Sequence, residues 1–234
     1  QKLLFWQSRM ASLGQMLANI AHQWRQPLTE LNLTLFNMKK ASIHNNEKKV
    51  DELYKESKTL ISSMSSTIDD FTNFFNPQKE KKSFEIKDAI NEALIILRKV
   101  IELENIHIQI DVPINYKVIG VSNELSQVII NLIQNSKDAF IQNDIKNKTI
   151  IITLKEELIL DKKYALLEIK DNAGGISKEN IDKIFDPYFT TKYKSQGTGL
   201  GLFMSKMIIE KSLDGELIHE NIKNGSLFTI KLVL

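Results

Sequence analysis

The sequence predicts an α+β protein: a helical hairpin that pairs into a dimeric four-helix bundle, followed by an α/β sandwich with a mixed sheet. Two observations support this prediction. Residues 1–76 carry apolar side chains at steps of three and four, which is typical of long amphipathic helices. From residue 84 onward, helical patterns are mixed with short runs rich in β-branched residues, which are typical of strands. We therefore expect residues 1–76 and 84–234 to form different domains.

The N-terminal part of the chain contains two helical patterns. Apolar residues recur from Met10 to Met38, and the pattern resumes from Val50 until Pro77, with a polar stretch at 42–49 between them. Each predicted helix carries one apolar stripe, and a single hairpin has too little apolar surface to cover both stripes. We therefore expect a homodimer, although a coiled-coil spacer would show the same periodicity.

Residues 77–83 contain a proline and a run of charged residues, so we expect a linker there. After it, the patterns predict helices near 87–104, 123–143 and 201–213, and strands near 106–112, 117–121, 149–155, 164–170, 216–221 and 226–233. This mixture predicts helices packed on one face of a mixed sheet.

The composition excludes several kinds of chemistry. The 31 basic and 29 acidic side chains give a net charge of +2, which is too small for a strong field toward nucleic acid or membranes. Cysteine is absent from the sequence, which excludes disulfides, thiolate metal sites and a thiol nucleophile. No apolar run approaches the roughly 18 residues of a transmembrane helix. We expect a cytoplasmic segment without a nucleic-acid partner, and any inner-membrane anchor of the parent protein in missing upstream sequence.

His22 is the first candidate for chemistry. It follows the stripe residue Ile20 by two positions, so a helix would turn its side chain toward solvent. Pro27 lies inside the same helical pattern, where it would kink the helix at a cost of about 3 kcal/mol. An exposed imidazole at a kink can be reached by another domain and can act as a nucleophile near neutral pH. Most lone surface histidines have no function, so the neighbouring residues decide.

Three polar residues of the second domain are candidate ligands. Asn131 and Asn135 are four residues apart, so they share one face of a helix, and amide oxygens are hard ligands suited to Mg²⁺. Asp171 ends a predicted strand before a loop, where its carboxylate could accept a hydrogen bond from an exocyclic amine. Solvated asparagines and a simple turn would explain the same residues, so the spacing alone leaves both interpretations open.

A glycine-rich segment at 197–201 directly precedes the last predicted helix, an arrangement that lets backbone N–H groups approach phosphate oxygens. Before it lies a polar segment, residues 172–195, which contains Phe185, Phe189 and Lys192. We expect this segment to be a mobile lid that the aromatic rings dock and that brings Lys192 to a γ-phosphate.

Taken in order, these segments resemble the sensor histidine kinase family over nearly the whole chain. The sequence AHQWRQPL, which contains His22, resembles the phosphoacceptor H box of that family. The other segments that resemble family motifs are the N box at 131–139, the G1 box at 171–176, the F box at 185–189 and the G2 box at 197–202.

The resemblance implies a phosphotransfer hairpin and an ATP-binding domain of the Bergerat type, shared with heat-shock chaperone, gyrase and mismatch-repair ATPases. It implies that ATP phosphorylates His22 and that the phosphoryl group passes to an aspartate of a response regulator receiver domain. It also implies that Asn135 ligates Mg²⁺, that Asp171 binds the adenine amino group, and that Lys192 assists the transfer. The other nucleotide-binding residues that it implies are Asn131, Lys137, Gly175, Ile176, Phe189, Gly197, Thr198, Gly199, Leu200 and Gly201.

Three residues depart from the pattern of the family. Gln23 stands where an acidic residue commonly assists deprotonation, and an amide cannot be a base; a neutral imidazole can still attack through its free lone pair. Gln26 lies one helical turn from His22, where its amide could orient a hydrolytic water, so phosphatase activity toward the regulator stays open. Ala173 replaces the first glycine of the G1 box, and its Cβ is expected to narrow the loop's conformations and lower nucleotide affinity.

Two other functions are compatible with parts of the sequence. A chaperone-type or mismatch-repair-type ATPase would account for the C-terminal domain but not for His22 and Pro27. A nucleotide-binding pseudokinase, which relays a conformational change without catalysis, is favoured only by Gln23 and Ala173.

Overall fold

A computed structural model describes residues 27–75, 80–192 and 199–234, apart from the side chains of residues 63 and 66–75. The expected residues His22, Gln23, Gln26, Gly197 and Thr198 lie outside this range. The described residues form two compact units: a helical one that includes residues 27–75, and an α+β one that comprises residues 80–191 and 199–234. Within the described ranges, no helix combines the length and the apolar character needed to span a membrane.

The first unit is a helical hairpin. Helix α1 is described over 27–43, and helix α2 spans Glu47–Phe75. At the turn, Asn45 adopts a φ of 54°, and the side-chain oxygen of Asn46 accepts a hydrogen bond from the N–H of Lys49 at 3.0 Å, which caps α2. Several large apolar side chains of the hairpin are exposed: Leu28, Leu33, Leu35, Phe36, Ile43, Tyr54 and Ile61. The hairpin is as the sequence predicts, while the four-helix dimer stays a prediction.

In its described residues, the second unit contains three α-helices and seven strands. The helices are α3 at Ile86–Leu103, α4 at Ser122–Gln142 and α5 at Gly201–Met207. The strands are β1 at Lys82–Glu85, β2 at His107–Asp111, β3 at Lys117–Gly120, β4 at Thr149–Ile159, β5 at Lys162–Asp171, β6 at Glu216–Ile222 and β7 at Gly225–Val233. A short 3₁₀ helix at Ile181–Lys183 and a π-helical turn at Ile208–Ser212 complete it.

Five strands form a mixed sheet in the order β2-β4-β5-β7-β6. Strands β2 and β4 are parallel, and the other neighbours are antiparallel. Helices α3 and α4 pack together, and α4 packs against β5. Alternate residues of the strands are buried, as period-two alternation predicts for one covered face, and those at most 1% exposed are Ile150, Ile152, Ala165, Leu167, Ile169, Ile230 and Leu232. The architecture is therefore the α+β sandwich that the sequence predicts.

Two local features differ from the sequence predictions. The expected linker 77–83 overlaps β1, which pairs antiparallel with β3 in a separate two-stranded sheet. The charged residues before Phe84 led us to predict a linker in place of this strand. The first half of β1 is exposed, and its pairing uses backbone groups, so its side chains show no apolar pattern. The last predicted helix, 201–213, is α-helical only to Met207, and the π-helical turn follows. The buried residues Met204 and Ile208 keep a spacing of four across this change, so the apolar pattern alone did not reveal it.

Candidate functional site

Asp171, the last residue of β5, is the centre of the site. Its side chain is 5% exposed. The Oδ1 atom accepts hydrogen bonds from the backbone N–H groups of Ala173 at 2.9 Å and Ser226 at 3.1 Å. The Oδ2 atom accepts one from the hydroxyl of Ser136, on α4, at 2.8 Å. Because a buried carboxylate is tolerated only when it is hydrogen-bonded, these three donors both stabilise Asp171 and fix its orientation.

The first residue of β7 packs closely against the backbone of Asp171. Gly225 begins this strand, and a Cβ atom there would overlap the backbone carbonyl oxygen of Asp171. Only glycine therefore lets β7 come close enough for the N–H of Ser226, the next residue, to reach the carboxylate.

Helix α4 carries the two candidate asparagines as well as the serine that bonds to this carboxylate. Asn131 and Asn135 are half-buried, and Ser136, which contacts Asp171, directly follows Asn135. The side-chain N–H of Asn131 donates to the hydroxyl of Ser205 at 2.8 Å, and its oxygen lies where a Cβ on Gly201 would be. The structure therefore brings the N-box segment of α4 against the first turn of α5, which the sequence could only place in separate helices.

The loop at 172–176 follows Asp171 and is anchored at its first residue. The side chain of Asn172 accepts a hydrogen bond from the N–H of Thr149 at 2.8 Å and donates one to the carbonyl of Asn147 at 2.7 Å. The expected lid therefore does not begin at residue 172, because the side chain of Asn172 is hydrogen-bonded to the backbone at the start of β4.

Ala173 does not strain this loop. The left-handed positions are Gly174, with a φ of 100°, and Gly175, with a φ of 78°, whereas Ala173 has no positive φ and is 1% exposed. Its methyl group is buried in an ordinary backbone conformation, so the expected narrowing of the loop by a Cβ at this position has no structural basis. The residue that replaces the family's glycine stands where no glycine is required.

The F-box and G2-box segments meet through the backbone. The N–H of Tyr188, which has a φ of 68°, donates to the carbonyl of Gly199 at 2.8 Å. Gly199 has a φ of 65°, and a Cβ atom there would collide with the backbone of Tyr188. The ring of Phe185 is 4.8 Å from the ammonium of Lys206 on α5, a cation–π contact. The candidate residues Phe189 and Leu200 flank this junction and are half-buried and buried, respectively.

Two lysines, Lys137 and Lys192, are the candidates for contact with a phosphate. The ammonium of Lys137 forms an ion pair with Asp138 at 2.9 Å, so it is already engaged within α4. Lys192 is the last described residue before 199, and Gly197 and Thr198 of the expected phosphate-binding segment lie outside the described residues. Contact of either lysine with a phosphate stays a prediction.

His219 is a half-buried titratable residue whose electrostatic surroundings include Asp171. It lies on β6 and packs against Phe228 with ring centroids 4.8 Å apart. Within the described part of the chain, both of its ring nitrogens are buried without a hydrogen-bond partner. Burial lowers the pKa of His219, and the negative charges of Asp171 and Glu220 oppose that shift only in part. The imidazole is therefore neutral near pH 7.

Sequence reasoning missed several residues of the site. Ser136 carries a readable signal, because it follows Leu132 by four positions within the buried stripe of α4, where a hydroxyl needs an internal partner. Ser226 carries no such signal, and neither do Asn143 and Asn221, whose side chains hydrogen-bond to the backbone of Ala173 and Ile176. Their roles depend on which backbone segments the sheet brings next to the 172–176 loop.

Residues 120–234 match the family model described as histidine kinase-, DNA gyrase B- and HSP90-like ATPase. This range contains Asp171 and every residue named above that contacts it. Residues 120–234 therefore form an ATPase domain similar to those of histidine kinases, DNA gyrase B and HSP90. This match supports the expected ATP-binding domain, while His22 and the rest of the H box up to residue 26 lie outside the described residues.

Known proteins resemble the chain over most of its length. It is 31% identical to the two-component sensor PprA of Pseudomonas aeruginosa over 97% of the chain but 25% of PprA, and 29% identical to sporulation kinase A of Bacillus subtilis over 98% of the chain and 36% of that kinase. The chain thus spans about a quarter to a third of the length of these two relatives.

Solved histidine kinase structures share the fold. The catalytic domain of histidine kinase ThkA superimposes with a TM-score of 0.56 at 29% identity, over 66% of this chain and 96% of that domain. A structure of ThkA in complex with the response regulator TrrA gives 0.67 at 25% identity, over 97% of this chain and 63% of that one. The histidine kinase AdeS of Acinetobacter baumannii gives 0.68 at 22% identity over 91% of this chain and 97% of that one, which concerns the fold alone.

Proposed function

We propose that the chain is the catalytic core of a sensor histidine kinase, which transfers the γ-phosphoryl group of ATP to His22 and then to an aspartate of a response regulator. The observation that carries this proposal is the oriented, buried carboxylate of Asp171 within a domain of the histidine kinase ATPase type. The relatives PprA and sporulation kinase A support the kinase activity, and the ThkA complex supports a regulator as the partner.

The hydrogen bonding of Asp171 is compatible with recognition of an adenine amino group. A carboxylate offers about four acceptor sites, and three are used by Ser136, Ala173 and Ser226. One acceptor site therefore remains for an exocyclic amino group, which a purine such as adenine provides. The same three donors prevent the carboxylate from rotating, so it would recognise the base at little entropic cost.

Other residues would hold the phosphates. Asn135 shares the α4 face of Asn131 and offers an amide oxygen to Mg²⁺, which when bound would neutralise phosphate charge. The left-handed glycines Gly174, Gly175 and Gly199 carry no side chain that would keep a ligand from the backbone. Lys192 would supply a further positive charge.

In the proposed transfer, the neutral imidazole of His22 attacks the γ-phosphorus with a nitrogen lone pair. A nitrogen–phosphorus bond forms, the bond from the γ-phosphorus to the bridging oxygen breaks, and ADP leaves with that electron pair. Gln23 does not act as a base in this step. Gln26 is the residue that would orient water for dephosphorylation of the regulator.

The proposed kinase is a homodimer. The hairpin exposes a row of large apolar side chains that a second copy would cover, such as Phe36, 65% exposed, and Ile43, 70% exposed. Light scattering on a fragment cut after residue 76 would test this proposal, with a dimer expected; a monomeric, folded hairpin would contradict it.

The test of the kinase activity is incubation with γ-labelled ATP and Mg²⁺. The unmodified chain should take up label that is stable to alkali and lost in acid, while His22→Ala should take up none. Asp171→Asn should also abolish labelling, because the amide presents an N–H to the adenine amino group, whereas Asp161→Asn, in the turn between β4 and β5, should not. Labelling of His22→Ala would refute His22 as the acceptor, and ATP binding without labelling of any protein would favour a pseudokinase or a chaperone-type ATPase.

A further inference from the structure

The loop at 172–176 is held by two side-chain amides that lie outside every family motif. Asn143, at the C-terminal end of α4, donates from its side-chain nitrogen to the carbonyl of Ala173 at 2.6 Å. Asn221, on β6, accepts a hydrogen bond from the N–H of Ile176 at 2.8 Å and donates one to the carbonyl of Ile176 at 2.6 Å. The loop is therefore hydrogen-bonded to the end of α4 through Ala173 and to the edge strand β6 through Ile176.

Gly174 and Gly175, which lie between these contacts, leave little space for a side chain next to the same amides. A Cβ atom on Gly174 would lie 3.1 Å from the side-chain nitrogen of Asn143, and one on Gly175 would lie 2.8 Å from the side-chain oxygen of Asn221. The N–H of Gly174 donates to the backbone carbonyl of Asn224 at 3.0 Å, in the turn that follows β6. Four consecutive residues of the loop, 173–176, thus contact one of these two amides or the adjoining turn.

We infer that Asn143 and Asn221 are positioning residues, which hold the 172–176 loop in its nucleotide-binding conformation before nucleotide binds. This inference rests on the proposed nucleotide site. A left-handed pair of glycines has many alternative conformations, and a ligand that needs one of them binds more weakly in proportion to the fraction of molecules that adopt it. The two amides raise that fraction through hydrogen bonds that do not involve the ligand.

The first measurement needs no nucleotide. Because the N–H of Gly174 bonds to Asn224 and to neither amide, its hydrogen exchange reports the loop and not the deleted contact. Exchange at Gly174 in the full chain should accelerate about tenfold in Asn143→Ala and in Asn221→Ala. Unchanged exchange at Gly174 in both variants would overturn the inference, whether or not the protein binds ATP.

The second measurement is binding of a non-hydrolysable ATP analogue with Mg²⁺. If the loop keeps its binding conformation in a third to a tenth of the molecules, each single variant should raise Kd about three- to tenfold. In labelling assays the KM for ATP should rise while kcat changes little, since neither amide contacts the reacting atoms. Unaltered Kd and KM in folded variants would also overturn the inference, and failure of the unmodified chain to bind the analogue would instead refute the proposed nucleotide site.

Asn115→Ala is the matched control. The side chain of Asn115 accepts a hydrogen bond from the N–H of Lys87 at 3.1 Å and donates one to the carboxylate of Glu85 at 2.6 Å. Neither bond involves the 172–176 loop. Its loss should lower stability by an amount similar to the loss of Asn221 and leave Gly174 exchange and Kd unchanged. An equal rise of Kd in Asn115→Ala would show that general loosening of the domain explains the effect, which would contradict a positioning role.

Discussion

Ser136→Ala should destabilise the second unit because it removes the only side-chain donor that the structure shows to the buried carboxylate of Asp171. The hydroxyl lies 2.8 Å from Oδ2, in an environment where Ser136 and Asp171 are 3% and 5% exposed. Loss of a hydrogen bond to a charged group costs about 1.5–3 kcal/mol, and water cannot easily replace the hydroxyl at a buried oxygen. For a unit of this size, that corresponds to a decrease in Tm of about 3–12 °C.

Ser126→Ala is the control for this prediction, because it deletes a similar hydrogen bond. Ser126 is 2% exposed, also lies 3.2 Å from the carbonyl four residues earlier, and donates to Glu92 at 2.6 Å. The hydroxyl of Ser136 likewise lies 3.2 Å from the carbonyl oxygen of Leu132, four residues earlier. The difference is that Glu92 is only half-buried, so water can reach it and the expected cost falls to about 0.5–1.5 kcal/mol.

Calorimetry of the full chain, read at the transition of the second unit, would compare the two variants. A decrease in Tm for Ser126→Ala that equals or exceeds that for Ser136→Ala would refute the reasoning, since burial of the accepting carboxylate would then not determine the cost. A cost below about 0.5 kcal/mol for Ser136→Ala would refute it as well.

Two further predictions concern the surroundings of the site. Burial lowers the pKa of His219 in the folded state, so at pH values below 6.5, the ordinary pKa of histidine, the unfolded chain binds more protons than the folded chain. Stability should therefore fall as the pH decreases from about 7 toward about 5. The urea midpoint of His219→Val should depend less on pH in that range, and an unchanged dependence would contradict this prediction. Ala173→Gly should lower stability by about 0.5–1 kcal/mol without tightening the binding of an ATP analogue, because Ala173 has no positive φ. Gly175→Ala should weaken that binding, since the new Cβ would lie 2.8 Å from the Asn221 oxygen; equal effects of the two substitutions would contradict the assignment.

Strong periodicity made most helices and strands of the second unit predictable. Helix α3 was expected near 87–104 and spans Ile86–Leu103, because its buried positions recur at helical spacing from Ile86 to Leu97. Strand β1 was missed, since a four-residue strand with an exposed first half has no period to detect. The same limit applies to the pairing of β1 with β3 and not with the larger sheet, which depends on contacts between distant segments.

For the site, the sequence by itself identified the residue types that carry chemistry: the carboxylate Asp171 at the end of a strand, the amides Asn131 and Asn135 on one helix face, and the glycines before α5. Local spacing determines these features, so they can be read without the fold. Only the tertiary structure decided that Ser136 holds Asp171 and that two further amides, distant in sequence, hold the loop between them. Those contacts join α4, β5, β6 and β7, and their existence depends on how the sheet orders its strands, which no local pattern encodes.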